Sequence, residues 1–136
     1  MRVISLVVEG LERAADMGCL AWLFAQDADI ICLQDTRCAE HNLSGEAFFP
    51  ANYHPYFLDH YENPRLNGVA IYSKHLPKAI IWGLGFEEFD AQGLYIQADF
   101  DEISVGSVLV PSGTGGPENM ASKLDFLSQL SSHLEK

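Results

Sequence analysis

Short apolar runs alternate with polar breaks along the first third of the chain, and their period changes between runs. Arg2 to Val8 is a β-branched run closed by Glu9-Gly10, the pattern of a buried strand. From Leu11 to Gln26 the apolar positions Leu11, Ala15, Cys19, Trp22 and Leu23 fall on one face at helical spacing. After Asp27-Ala28 a second apolar run, Ile30 to Leu33, ends abruptly in Gln34-Asp35-Thr36-Arg37. Strand, helix, strand at this spacing predicts a βαβ unit with a right-handed crossover and two parallel strands. Both strands then end at the same sheet edge, where open α/β sheets bind their ligands. That edge is expected to carry Val7, Glu9 and Asp35.

Beyond it the pattern loosens. Cys38 to Pro50 is mixed and polar, a loop with at most a short helix, and Tyr53 to Leu58 reads as a short or edge strand limited by Pro55. Asp59 to Leu66 is a charged loop with Asn63-Pro64. Four strand candidates follow at close spacing, Asn67 to Ser73, Ala79 to Leu84, Leu94 to Phe100 and Ile103 to Val110. Short connections of this kind predict an antiparallel meander continuing the same sheet. From Glu118 to Lys136, Met120, Leu124, Leu127, Leu130 and Leu134 define the apolar face of a closing helix.

Composition narrows what this arrangement can do. With 136 residues, 48% of them apolar, the chain is one domain or part of one. Nineteen acidic residues against eight Lys and Arg give a net charge of -11, which repels phosphate backbones and excludes general electrostatic binding of nucleic acid by this chain alone. Cys19, Cys32 and Cys38 are odd in number and lack metal-ligand spacing, so free thiols in a reducing compartment are expected, and the chain reads as cytoplasmic. His41, His54, His60, His75 and His133 show no ligand spacing. Ser112-Gly113-Thr114-Gly115-Gly116 has the look of a phosphate-cradling loop but lacks the Lys-Ser/Thr ending, so it reads as a flexible connection.

Several stretches together resemble the exonuclease III and apurinic endonuclease branch of the endonuclease/exonuclease/phosphatase superfamily. They are Ser5 with Gly10-Leu11, Leu33-Gln34-Asp35-Thr36, Gly68-Val69-Ala70, and Pro111 with Gly113, and the match runs over essentially the whole chain. Within that branch the longer runs Cys32 to Arg37, Gly83 to Glu87, Leu94 to Asp101 and Leu109 to Gly113 resemble the catabolite repression control proteins, which are regulators rather than nucleases. The resemblance implies an α/β sandwich of which residues 1–136 form a single partial domain, the amino-terminal half: a mixed sheet, βαβ at its start and then the meander, with flanking helices. It also implies that the second half is absent and one apolar sheet face is left uncovered. That face then awaits the second half, a partner or self-association.

For the nucleases of the family the resemblance implies phosphodiester hydrolysis with magnesium, whose preference for hard oxygen ligands suits an acid at a strand end. Asp35 stands at the metal-ligating acid, one methylene shorter than the usual glutamate. Val7 and Glu9 stand where the family has asparagines, Glu12 where it has an arginine, and Leu109 where it has the active-site tyrosine. No catalytic group of this half is therefore expected to be intact. Asp35 remains the candidate metal ligand. Glu9 is either a substitute ligand or a solvated turn residue, and Arg37 is either a phosphate contact or the salt-bridge partner of Asp35. Two functions follow from the resemblance. One is translational repression with the RNA chaperone Hfq and A-rich messenger segments as partners. The other is a magnesium-dependent DNA repair nuclease, and a third outcome is a remnant that needs a partner to fold.

Overall fold

In the computed structural model, which describes residues 1–135, β1 (Val3–Val7) and β2 (Ile30–Gln34) run parallel, with Val3 opposite Ile30 and Val7 opposite Gln34. The expected connecting helix is two helices, α1 (Leu11–Asp16) and α2 (Cys19–Ala25). Gly18, at φ 80, makes the break, in a left-handed conformation that only glycine adopts without strain. The break turns α2 so that Leu20 and Leu23 are buried, while Trp22, expected on the packed face, points to solvent.

β4 (Val69–Ser73) pairs antiparallel with β2, and β3 (His54–Leu58) pairs antiparallel with β4, giving the order β1-β2-β4-β3. Pro55 sits in β3, an edge strand where its missing N–H is tolerated. The next three strands do not continue this sheet. β5 (Ala79–Trp82), β6 (Tyr95–Asp99) and β7 (Ser104–Val108) form a separate antiparallel sheet packed on the first. Both edges of β4 are already hydrogen-bonded, to β2 and β3, so the chain leaving it has no edge beside it to extend and crosses to the sheet's face instead.

Between the sheets Ile30, Cys32, Val69 and Ile71 meet Ile96 and Ala98. On the other face Ile31, Leu33, Ala70 and Tyr72 pack against Leu11, Ala14, Leu20 and Leu23 of α1 and α2. β2 and β4 are thus buried on both faces, which is why they read as unbroken apolar runs. Hence no whole sheet face lies bare. What is uncovered is narrower: Val3, Leu6 and Val7 of β1 are exposed, and the outer edges of β1 and β7 are unpaired among the described residues. Because β7 packs over β2 and β4, the free edges of β1 and β7 lie on one flank, and those of β3 and β5 on the other.

α3 (Glu87–Asp90), which the sequence pattern does not announce, is held by the Asp90 carboxylate accepting the N–H groups of Leu84 and Gly85 at 2.7 and 3.0 Å. α4 (Pro117–Leu134) forms where expected, although Lys136, included in the expected helix, lies outside the described residues. Its packed face differs from expectation. Phe126 is fully buried, edge-on to Phe89 at 5.3 Å, with Leu130 partly covered beside it, while Met120, Leu124, Leu127 and Leu134 are exposed. One aromatic entering the pocket of Leu84, Phe89, Leu94 and Tyr95 sets the helix's rotation against its leucine stripe.

Candidate functional site

Beyond their last paired residues β1 and β2 stay zipped: Val8 N–H donates to Gln34 O, Gly10 N–H to Asp35 O and Leu11 N–H to Thr36 O, all at 2.8–2.9 Å. Glu9 and Asp35 are thereby held side by side at the carboxyl edge, as the parallel βαβ start requires. The start of β4 closes the other side, with Asp35 and Thr36 N–H on Gly68 O and Arg37 N–H on Asn67 O. β3 also runs parallel to β2, so the loop after it, residues 59–68, reaches the same edge. The second sheet adds its own rim, through Gly68 N–H on Gly93 O and Tyr61 N–H on Ala91 O.

Backbone strain concentrates at this edge. Of the five non-glycine residues with positive φ, four are Glu9 (50°), Asp35 (65°), Arg37 (53°) and Asn67 (54°). Such conformations cost about 1–3 kcal/mol each and cluster where a fold fixes functional geometry. Their effect here is visible in one contact. Arg37 lays its guanidinium on Asp35 as a fork, Nε to Oδ1 at 3.0 Å and Nη2 to Oδ2 at 2.7 Å. The hydrogen bond with Asp35, then its charge, raises the Arg37 pKa further above its ordinary value. Arg37 is thus the salt-bridge partner of Asp35, with about half of its side chain still open to solvent.

Behind Asp35 stands a polar network that sequence reasoning misses. Gln34 is buried between the sheets, and its Nε2 donates to Ser107 Oγ at 2.9 Å and to Ser5 Oγ at 3.1 Å. The Ser107 hydroxyl in turn donates to Leu33 O at 3.1 Å. The end of β2 is thus tied to β7 across the core. The signal available in sequence was a glutamine ending an apolar run, a residue rarely buried unless paired. Leu109, two residues past Ser107, packs among apolar side chains of both sheets and offers no hydrogen-bonding group where the family's tyrosine was expected. Val7 is 54% exposed and equally apolar.

Whether these residues suit a divalent ion is decided by the donors present. Asp35 offers both oxygens to Arg37, Glu9 is exposed beside it, and among the described residues no three His, Cys, Asp or Glu side chains converge as a metal site. Magnesium takes oxygen ligands in near-octahedral geometry, usually one or two carboxylates completed by waters and substrate phosphates, and the carboxylate at this edge is held by the Arg37 guanidinium. With Arg37 in place, Asp35 does not present its oxygens to an ion.

Other candidate residues disperse. His75 pairs with Asp29 at 3.1 Å, His133 Nε2 lies 2.9 Å from Gln97 Oε1, and His54 is exposed. His41 and His60 come together in a rim cavity of 640 Å³ with Asp59, Tyr61 and Glu87. Burial raises the Asp59 pKa, against the opposing effects of the Glu40 N–H that it accepts and of His41. A neighbouring cleft of 290 Å³ carries Arg37, Arg65, Asn42 and Asn63, opposed by Glu12. Burial pushes the Cys32 thiol up to about 11 and the Cys38 thiol to about 12, the latter with help from Asp59 and Glu12, so both are inert at neutral pH. The loop over residues 112–116 folds on itself, Ser112 Oγ meeting Thr114 Oγ1 at 2.7 Å, and joins β7 to α4.

The fold has known counterparts. The exodeoxyribonuclease of Bacillus subtilis (strain 168) is 32% identical over 135 residues, 98% of this chain and 52% of that protein. The DNA repair nuclease APEX1 of Danio rerio is 32% identical over 117 residues, 85% of this chain and 38% of that protein. Among solved structures, an AP endonuclease from Archaeoglobus fulgidus superposes with a TM-score of 0.84 at 27% identity, covering 98% of this chain and 51% of that one. The catalytic domain of Xenopus laevis APE2 gives 0.83 at 26%, covering 99% and 53%. The chain thus spans about half the length of these relatives, or less. The profile described as Endonuclease/Exonuclease/phosphatase family matches residues 12–135, and the chain belongs to that family.

Proposed function

We propose that the protein is an exonuclease III-like domain with a degenerate active site, acting as a nucleic-acid-linked regulator rather than a nuclease. The observation that carries this reading is the Asp35–Arg37 fork: the one acid at the family's metal position is neutralised from within the chain. Val7 and Leu109 support it, since neither supplies a polar group where the resemblance implies one, and Glu9 puts a charged carboxylate where it implies an asparagine. By that resemblance the role is translational repression in the cytoplasm, with Hfq and A-rich messenger RNA as partners. The charge of -11 fits a chain that reaches RNA only through another protein. The free edges of β1 and β7 are the surface where a second half of the fold or a second copy would dock.

The test pairs two measurements. With magnesium and an abasic DNA duplex, the protein and its Asp35→Ala variant are expected to leave the duplex equally intact. Co-purification with Hfq is expected only when A-rich RNA is present, and its absence under every RNA condition counts against the regulatory role.

A second reading is favoured by the relatives' names, an exodeoxyribonuclease and a DNA repair nuclease. In it the protein is a magnesium-dependent repair nuclease to which this chain contributes the edge bearing Asp35. Magnesium-dependent incision that Asp35→Ala abolishes would establish it.

A further inference from the structure

The segment Asp35-Thr36-Arg37 is built as a rigid clamp. Side chains two apart on an extended strand point the same way but stand about 6–7 Å apart at the backbone, too far for a short aspartate to be gripped by chance. Here left-handed conformations at Asp35 and Arg37 fold the backbone around Thr36, whose side chain is fully buried. All three residues are pinned: their N–H groups go to Gly68 and Asn67, and the carbonyls of Asp35 and Thr36 accept from Gly10 and Leu11. Gly68 lies so close that a Cβ there would sit 2.2 Å from Thr36 Oγ1. The guanidinium is therefore delivered to Asp35 by a fixed frame rather than by a wandering surface side chain.

We propose that Arg37 is an internal cation which occupies the divalent-ion position at Asp35 and keeps metal out. The inference deepens the reading of a degenerate site and rests on it. Both carboxylate oxygens are engaged by the fork, and an approaching ion meets a positive group already within 2.7 Å of one of them. The Asp35 side chain is only 15% exposed, so its oxygens have little open surface left for a second cation. Arg37 is 47% exposed, so the clamp competes with metal but is not sealed against it, and its removal uncovers a measurable affinity. Once freed, Asp35 has Glu9 as a neighbouring carboxylate, joined through the zipped strand ends.

The experiment titrates Mn²⁺, followed by its free-ion electron paramagnetic resonance signal, into the whole protein and its variants. Arg37→Gln is expected to bind Mn²⁺ at least tenfold tighter than the unaltered protein, and the double variant Asp35→Asn/Arg37→Gln to lose that gain. Circular dichroism melts confirm that each variant is folded, and Arg37→Ala serves as a second probe if the glutamine form is not. Equal, Asp35-dependent binding by the unaltered protein and Arg37→Gln overturns the proposal. Failure of both Arg37 variants to bind, while folded, overturns it too. Cleavage of DNA is not part of the readout, so the wider reading of the protein as a regulator stands or falls separately.

Discussion

Gln34 and Ser107 join the two sheets directly behind the acid: Gln34 Nε2 donates to Ser107 Oγ at 2.9 Å in a fully buried position. Removing the serine hydroxyl leaves a buried amide N–H short of a partner and the Leu33 carbonyl without its extra donor. Ser107→Ala is expected to lower stability by about 1–3 kcal/mol, the usual penalty for orphaning a buried polar group. Urea denaturation measures it. A change within a few tenths of a kcal/mol would mean that the network contributes nothing to holding β2 on β7.

Thr36 and Gly68 make opposite predictions from one contact. Thr36 Oγ1 is buried and has no hydrogen-bond partner among the described residues, so Thr36→Val, which keeps the shape and discards the hydroxyl, is expected to stabilise by about 1 kcal/mol. Gly68 has φ 95 and faces Thr36 Oγ1, so Gly68→Ala is expected to destabilise by about 1–3 kcal/mol from backbone strain, with the steric clash added. Denaturation of the two single variants and the Thr36→Ala/Gly68→Ala double variant separates the two effects, because only the clash is relieved in the double.

These residues also show how far the sequence reaches. The parallel start, the strand ends and Asp35 at the edge were legible because they depend on short-range periodicity and on chirality, both written locally. The division into two sheets was not. It depends on β4 having both edges occupied, a fact about pairing partners far away in sequence. The Asp35–Arg37 contact is only one of two roles that the sequence allows Arg37, since spacing alone does not reveal that both residues take left-handed backbone. Gln34, Ser107 and Thr36 were invisible as a group, because a buried polar cluster is assembled from both sheets.

Acid sensitivity is expected to pass through Asp99. Its carboxyl is held below the ordinary value first by the Ser104 hydroxyl, then by the Gln97 amide, with burial opposing and the charges of Lys78 and His133 adding. A depressed native value stabilises the fold fully above about pH 4, the ordinary aspartate range, and the contribution is lost as pH falls through the native value. Urea midpoints of the protein and Asp99→Asn are therefore expected to differ at pH 7 and to converge as pH falls below the native value of Asp99. A difference that stays constant over this range would show that the carboxylate's charge is not what stabilises β6 against β7.

The rotation of α4 gives the sharpest contrast, because the leucine stripe and the structure disagree about which residue anchors the helix. Leu124 belongs to the apolar stripe but is 58% exposed, while Phe126 is 0% exposed and stacks edge-on to Phe89. Truncating a buried aromatic costs about 3–5 kcal/mol, through lost transfer energy and the cavity left behind. Truncating an exposed leucine normally stays within about 0.5 kcal/mol. Phe126→Ala is thus expected to come close to unfolding a domain of this size, and Leu124→Ala to leave its melting temperature nearly unchanged. If Leu124→Ala instead weakens the fold strongly in a concentration-dependent way, the exposed stripe is buried by association, and sedimentation velocity on the two variants would show the assembly lost in one and kept in the other. If it weakens the fold strongly at every concentration, the helix is rotated from the position described, with its leucines inward.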